Sequence, residues 1–399
     1  MSARSRSLAM ALSAGIAAAA CADGAGSSDA VVRTDSAGVS IVELSALAAE
    51  AEWALEPVWS VSDFRGDPVF DIADVRLVSA DRIAVVEGSQ GGARIRLLDL
   101  DDGSVVSEGG GAGDGPGEFG FPRIAVALGD GRIGVWDSNP RRFTVLGPDL
   151  ELVETRQAPG LGIAGVPSLH EAEGGLWMWK SSQLGPAAPN EPLRRDDGIL
   201  AFWSGEEVDT ITRSPGLQYL ANGSIMGSPP WGTRGLSASH PDGVWLGDTA
   251  RPEVRRWGRE GLRRIVRWPA VPRPRTPEHD DEYLTLVEEA APPGTPPEVM
   301  EQVASMLVVE QLPQWGLLKS SDDGSVWISV APEMGMPIEI VGSGPERTWV
   351  VLDAEGSPDA TVRTPVGFSL RDIQGDLVVG VQRDELGRES IRALRTVRD

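Results

Sequence analysis

The sequence predicts an all-β fold made of six copies of one short repeat. Each copy is a turn rich in glycine and aspartate that continues into an apolar strand. The cores of the six copies lie at residues 81–86, 130–136, 174–179, 242–246, 323–328 and 375–379. Another strand-like run follows each core, so every copy can form a small antiparallel sheet. Six such sheets around an axis form a six-bladed β-propeller, which leaves only short, protected strand edges.

The most complete copy begins at residue 109 and ends near residue 156. Residues 109–117 are dense in glycine, which lets the backbone adopt positive φ angles and turn tightly. Strand-like runs separated by turn residues follow at 123–128, 132–136, 142–146 and 151–156. Four short strands joined by turns have the size of one propeller blade, about 40–50 residues.

The glycine-rich turn of this copy and the residues after it resemble the NHL repeat. The matching residues are the motif at 113–119, Pro122, residues 124–126, Asp130, Gly131, Val135, Asp137, Asn139, Arg142 and Phe143. More broadly, residues 31–399 resemble the six-bladed β-propeller lipoproteins of bacteria, which implies the same fold here. Only the second copy retains the motif at 113–119. Six of its residues are candidates for binding or for forming a turn: Asp114, Gly115, Pro116, Gly117, Glu118 and Phe119.

The two ends of the chain are predicted to meet. The sixth copy runs out of sequence after its third strand, near Arg395. Residues 31–44 form a predicted hairpin with a turn at 35–38. We therefore expect a strand from residues 31–44 to supply the outer strand of the sixth blade, because closing the ring removes the last open edge.

Residues 1–20 are predicted to be a signal peptide of the lipoprotein type. Arg4 and Arg6 precede an apolar run at 8–20 that is too short to span a bilayer as a helix. Small residues then precede Cys21, the only cysteine, in a pattern that resembles a bacterial lipobox and makes Cys21 the expected lipid acceptor. The alternative is an ordinary secretory signal, with Cys21 incidental.

Residues 21–30 are small and polar and are predicted to be a flexible tether between the lipid and the fold. Ala22 stands where the usual aspartate retention signal would be, which favours the outer membrane in a cell with two membranes. The sequence therefore predicts an exported protein of the cell envelope, at the outer membrane or the periplasmic face.

One segment, residues 276–311, is predicted to interrupt the strands with two short amphipathic helices. Prolines at 292–293 and 296–297 separate the two. Nine aspartates and glutamates but no lysine or arginine lie between residues 276 and 318. This insertion is either an element that docks a partner or gates the propeller face, or a decorated loop with a solvated acidic surface.

The formal net charge is −23, which argues against nucleic acid as a partner because phosphates need a basic footprint. It also argues against attachment to an anionic membrane by charge, so the lipid anchor is the expected membrane contact. Mutual repulsion favours a dispersed body, which we expect to be a monomer.

Thirteen tryptophans stand against two tyrosines. Five of them lie inside the repeated strands: Trp136, Trp177, Trp179, Trp245 and Trp327. Their recurrence at one repeat position favours packing between blades over a platform that stacks sugars. Trp231 and Trp315 lie near the starts of inner strands and are the candidates for a channel mouth.

Few residues suggest catalysis or metal binding. His170 and His240 precede the repeated turn of consecutive copies, where they are either a pair of imidazole ligands or turn residues on one rim. The oxygen-rich residues of the second copy could hold calcium or cap their own turns: Asp114, Glu118, Asp137 and Asn139. The sequence contains no G-x-S-x-G elbow and no Walker loop, and it identifies no catalytic residue and no required cofactor.

Two functions fit these observations. The chain is predicted to be an exported, lipid-anchored propeller that acts as a binding or scaffold module for a peptide, glycan or protein partner. The alternative is a hydrolase or lyase, similar to lactonases, with its site in the central channel. A convergent cluster of carboxylates, asparagine or histidine in the channel would favour the enzyme, and an apolar or scattered lining would favour the binding protein.

Overall fold

The computed structural model describes residues 31–88, 90, 92–157, 167–181, 193–222, 225–291, 294–330 and 345–398. The expected signal peptide, the lipid acceptor Cys21 and the tether therefore lie outside the described residues. The described chain is all-β with two helices, and its sheets have a propeller-like arrangement.

In the described residues the strands fall into six groups of consecutive antiparallel strands, which we call units and number one to six in chain order. Units one to three contain these strands: Ile72–Ser79, Arg82–Glu87, Arg94–Asp99 and Val105–Gly110 in unit one; Pro122–Leu128, Arg132–Ser138, Arg141–Leu146 and Leu152–Gln157 in unit two; Ser168–Ala172, Gly175–Ser181, Leu193–Trp203, Val208–Asn222 and Ile225–Gly227 in unit three. Units four to six contain these: Gly235–His240, Gly243–Asp248, Glu253–Gly258 and Gly261–Arg267 in unit four; Leu318–Ser320, Val326–Ser329, Arg347–Leu352 and Pro358–Thr364 in unit five; Phe368–Gln374, Leu377–Arg383 and Glu389–Arg398 in unit six. A two-stranded hairpin of Asp63–Phe64 and Asp67–Pro68 precedes unit one. We call the first strand of each unit its inner strand.

The six repeat cores found in the sequence coincide with the second strands of the six units. The five tryptophans of those strands are at most 4% exposed, which confirms that they pack inside the fold. A buried apolar cluster lies between each unit and the next, and another lies between unit six and unit one. Burial of these side chains is the main term that holds neighbouring units together.

The N-terminal hairpin pairs with unit four and not with unit six. Its strands are Val31–Ser36 and Val39–Leu44, and the second runs parallel to Gly261–Arg267, with Val42 opposite Val266. Both valines are fully buried in the core between units four and five. The prediction that this hairpin supplies the outer strand of the sixth unit is therefore wrong. The apolar side chains of the hairpin are buried against the outer strand of unit four instead.

The outer strand of unit six is Glu52–Val61, which pairs antiparallel with Glu389–Arg398. At its start the same strand runs parallel to Pro358–Thr364, so units five and six share one eight-stranded sheet. Residues 31–61 thus run along the outer strands of units four and five and supply the outer strand of unit six, and we call them the N-terminal belt. A strand from the N-terminal part of the chain does complete unit six, but it is a later strand than the sequence indicated.

Each inner strand lies beside the inner strands of two other units. Units one to six follow one another in chain order, and the inner strand of unit six also contacts that of unit one. Hydrogen bonds cross between these strands. Ala125 N donates to Asp74 Oδ2 (3.2 Å) between units two and one, and Leu77 N donates to Asp372 Oδ2 (2.9 Å) between units one and six.

Two helices, α1 (Pro277–Ala290) and α2 (Pro297–Ala304), lie in the insertion where the sequence predicts them. Tyr283 and Val287 of α1 are buried in a small cluster with Trp231, which lies in the connection between units three and four. This cluster fixes α1 to the propeller-like body. No helix in the described part of the chain is long and apolar enough to cross a membrane.

Candidate functional site

Inner strands from all six units border one cavity, which we call the central cavity. Its volume is about 380 Å³. Five units contribute the polar part of its wall: Arg76, His170, Glu171, Ser239, His240, Ser320, Ser321, Asp322, Asp372 and Gln374. Unit two contributes the apolar residues 125–127. Polar groups that are far apart in the sequence therefore face one small volume.

Arg76 forms the centre of a charged cluster in this wall. Its Nε lies 2.9 Å from Asp74 Oδ2, and its Nη1 lies 3.7 Å from Asp372 Oδ1. Both carboxylates also accept the backbone hydrogen bonds that join the inner strands. Burial raises the pKa of Asp372, although the charge of Arg76 acts in the opposite direction. The two aspartates thus orient the guanidinium while they hold neighbouring units together.

Lys319 lies on the inner strand of unit five and belongs to the same cluster. Its Nζ donates to the carbonyl oxygen of Arg371 in unit six (3.1 Å). Burial, together with the positive charges of Arg76 and Arg371, lowers the pKa of Lys319 to about 7. An amine with that pKa is only partly protonated at neutral pH.

His170 brings unit three into the cluster. Its Nε2 lies 2.9 Å from Ser237 Oγ on the inner strand of unit four. Burial lowers the pKa of His170 to about 3, and the charges of Arg76 and Lys319 act in the same direction. The imidazole is therefore neutral at physiological pH and can accept a hydrogen bond.

His240 also borders the central cavity, but its partners differ from those of His170. Its Nδ1 accepts a hydrogen bond from Asp242 N (3.0 Å), and Arg256 Nη1 lies 2.9 Å from its Nε2. Burial, with the charge of Arg256, lowers the pKa of His240 to about 4. These contacts support the turn-residue interpretation for His240. Among the described residues, no three His, Cys, Asp or Glu side chains lie close enough together to hold a metal ion.

The glycine-rich motif at 113–119 lies at the junction of units one and two. Phe119 is fully buried, in the apolar cluster between these two units. Gly113 and Gly117 have φ angles of 156° and 78°, which a side chain would disfavour. Gly115 N donates to Glu118 Oε2 (2.9 Å), so the carboxylate closes its own turn. The motif is therefore a tight loop that buries the Phe119 side chain between units one and two.

Arg142 and Asp137 support this loop from below. Arg142 is nearly buried, and its guanidinium donates to the carbonyl oxygens of Asp114 (2.9 Å) and Glu118. Asp137 is fully buried and accepts hydrogen bonds from three backbone amides, those of Gly120, Phe121 and Asn139. Because N–H groups already face the oxygens of Asp137, the contacts support turn capping, the alternative to a calcium site.

The structure places Trp231 and Trp315 in packed clusters. Trp231 is 2% exposed and packs against Tyr283 of α1, with 5.7 Å between ring centroids. Trp315 is fully buried between units four and five, and its Nε1 donates to the carbonyl oxygen of Arg251 (2.8 Å). Neither ring is among the residues that border the central cavity, so the contacts of both are those of packed side chains, and the channel mouth that the sequence suggested stays a prediction.

Sequence reasoning missed the charged cluster of the central cavity. Asp74, Arg76 and Asp372 lie inside short strands, and their spacing in the chain follows no motif. One signal was available: Lys319 is one of only two lysines in the chain and lies next to an apolar run. Charged residues within otherwise apolar inner strands could have indicated a polar channel.

No known family model matches the chain, and no curated protein matches its sequence. Solved structures with a similar fold are distant. A Bacteroides fragilis protein described as exported is 11% identical, with 86% of this chain and 96% of that one covered and a TM-score of 0.47. A member of the DUF4221 family from Bacteroides vulgatus is 9% identical, with coverages of 88% and 98% and a TM-score of 0.47. Virginiamycin B lyase from Staphylococcus aureus is 10% identical, with coverages of 87% and 100% and a TM-score of 0.41. These likenesses are too distant to carry a function across.

Proposed function

We propose that this chain is an exported, lipid-anchored, six-bladed β-propeller that binds a small polar ligand in its central cavity. The observation that carries the proposal is the convergence of Arg76, His170 and Asp372, from units one, three and six, on that cavity. Groups brought together from separate repeats favour a site over a merely solvated surface.

In this proposal the six units are the six blades of a closed ring. The support comes from the inner strands, each of which contacts two others, and from the apolar clusters between consecutive units. At the junction of units six and one, Asp372 bonds both Leu77 N and Arg76. A ring of this kind explains why inner strands from all six units border a single cavity.

The ligand that fits best carries a carboxylate or another small anionic group. Arg76 offers a planar, always charged guanidinium that suits such a group. Ser239, Ser320 and Gln374 add neutral donors and acceptors to the wall. A cavity of about 380 Å³ suits a small molecule or the end of a larger one. A peptide or glycan, the partner expected from the sequence, would place one of its ends in the cavity.

Titration calorimetry of the full chain against acidic sugars and short peptides tests the binding function. Arg76→Gln should weaken binding at least about tenfold, since a hydrogen bond to a charged group contributes about 1.5–3 kcal/mol. Arg388→Gln is the matched control, because Arg388 is 75% exposed and lies outside the central cavity. Equal affinities for the two variants would contradict the proposal.

The second candidate is a hydrolase or lyase that uses the same cavity, whose wall brings together three carboxylates and two histidines: Glu171, Asp322, Asp372, His170 and His240. The amine of Lys319, with a pKa of about 7, can accept a proton near pH 7, which favours this candidate. Incubation with a lactone panel, followed by mass spectrometry, separates the two functions. Recovery of unchanged ligand supports the binding protein, whereas turnover that Lys319→Gln abolishes supports the enzyme.

Export and anchoring form the remaining part of the proposal. They rest on the basic and apolar segments at 1–20 and on Cys21. Fractionation of cells that produce the full chain should place it in the outer membrane, and Cys21→Ser should release it into the soluble fraction. Membrane retention of the Cys21→Ser variant would show that lipid on this residue is not the anchor.

A further inference from the structure

Lys319 is chemically distinctive within the central cluster. The chain uses arginine almost everywhere for positive charge and has only two lysines, Lys180 and Lys319. Lys180 lies on the second strand of unit three and is 6% exposed. Lys319 lies on an inner strand and remains partly exposed, in a cluster that borders the central cavity. Its Nζ and Arg76 Nη1 both donate to the carbonyl oxygen of Arg371, at 3.1 and 3.5 Å, so the amine lies beside a guanidinium that borders the cavity.

Titratable groups from three units lie around this amine. Arg76 and Asp74 come from unit one, Arg371 and Asp372 come from unit six, and His170 comes from unit three. The two arginines oppose protonation of the amine, while the two aspartates only partly compensate. A lysine that is desolvated beside another cation has a free lone pair at neutral pH and becomes a nucleophile.

We propose that Lys319 forms a Schiff base with a small aldehyde or ketone held in the central cavity, and that Arg76 binds an anionic group of the same ligand. This inference rests on the proposed function, because it takes the central cavity as the ligand site. It adds the chemical class of the ligand, a carbonyl compound, and a covalent step.

The step balances without any oxidant or reductant. The lone pair of the neutral Nζ attacks the carbonyl carbon, and the carbonyl π electrons move to oxygen. The two hydrogens of the amine leave with that oxygen as water, and an imine C=N bond remains. Hydrolysis reverses the step, so the same chemistry serves reversible capture of a ligand or the start of a reaction on it.

Reductive trapping tests the proposal on the full chain. Glyoxylate, which carries an aldehyde and a carboxylate, is added with sodium cyanoborohydride at pH 7, and peptide mapping locates the carboxymethyl group. We expect the label on Lys319. At pH 7 the neutral fraction is about one half for Lys319, with a pKa of about 7, and about one tenth for Lys180, with a pKa of about 8. From these fractions alone, Lys319 should react about fivefold faster than Lys180.

The pH profile gives a second, independent readout. Labelling of Lys319 should level off above about pH 7, whereas an ordinary lysine continues to gain reactivity towards pH 10. Arg76→Gln should slow glyoxylate labelling more than labelling by glycolaldehyde, which has no anionic group. Arg388→Gln, the surface control, should leave both rates unchanged.

Two outcomes overturn the inference: labelling of Lys319 no faster than that of Lys180, or a Lys319 profile that rises through pH 10. Calorimetry on the same protein separates this failure from failure of the proposed function. If small anions still bind in a manner that depends on Arg76, the cavity remains a ligand site and only the covalent step is lost. If neither trapping nor binding occurs, both proposals fail.

Discussion

Arg76 and Asp372 belong to the first and the last unit of the repeat, and their side chains meet at the centre of the fold. The distance from Arg76 Nη1 to Asp372 Oδ1 is 3.7 Å, and Asp372 Oδ2 also accepts a hydrogen bond from Leu77 N (2.9 Å). At the outer edge, the N-terminal belt completes unit six. The charged cluster around Arg76 joins the first and last units, and two of its members, Arg76 and Asp372, also border the central cavity.

Asp372→Asn should destabilise the fold. The change removes the charge that faces Arg76 and weakens the acceptor for Leu77 N, so the loss should be about 1–3 kcal/mol. Urea unfolding followed by tryptophan fluorescence measures it. Asp376→Asn is the control, because Asp376 is 59% exposed and pairs only at the surface with Arg395. A loss no larger than that of the control would show that the cluster contributes nothing to joining units six and one.

Acid should destabilise the protein in part through His170. Its pKa is about 3 in the folded chain against about 6.5 when unfolded. Between these values the unfolded state binds more protons, so stability is fully present above about pH 6.5 and is lost as the pH falls towards 3. Urea midpoints at pH 7 and pH 5 measure this loss, and His170→Gln should shrink the difference between them. An unchanged difference in the variant would mean that another group accounts for it.

Local patterns account for what the sequence predicted correctly. The repeat cores became second strands, the tryptophans of those strands became core, and the insertion formed two helices. Each of these features depends on periodicity within a short segment, on burial of a large apolar side chain, or on proline and acidic residues at helix starts.

Pairings that depend on tertiary structure could not be predicted in the same way. Val42 lies opposite Val266 in the folded chain, although the two are more than 200 residues apart in the sequence. Arg76, Lys319 and Asp372 meet only because the units bring their inner strands together. Nothing in the local sequence of any one of them indicates the others, so the site had to be found in the structure.

Arg142→Lys should loosen the glycine-rich loop at 113–119. Lysine keeps the charge but lacks the planar fork that reaches several backbone carbonyl oxygens at once. We expect a loss of about 1–3 kcal/mol and faster proteolysis within the loop. The neighbouring Arg141→Lys is the control, because Arg141 is exposed. If the loop motif binds calcium instead of capping itself, added calcium should raise the unfolding midpoint of the wild type.

Trp53→Ala tests the N-terminal belt. Trp53 is the second residue of the strand that joins units five and six, and it is 8% exposed. The guanidinium carbon of Arg398 lies 4.2 Å from its ring centroid. Removing a buried indole leaves a cavity, so we expect a loss of about 3–5 kcal/mol. Hydrogen exchange should also accelerate along Glu389–Arg398, the strand that the belt covers. Val58 lies on the same strand but is 38% exposed. Val58→Ala should therefore change the free energy of unfolding by no more than about 0.5 kcal/mol and should leave the exchange rates along Glu389–Arg398 nearly unchanged. Equal effects of the two substitutions would mean that the belt lies on the outer strands without contributing to their stability.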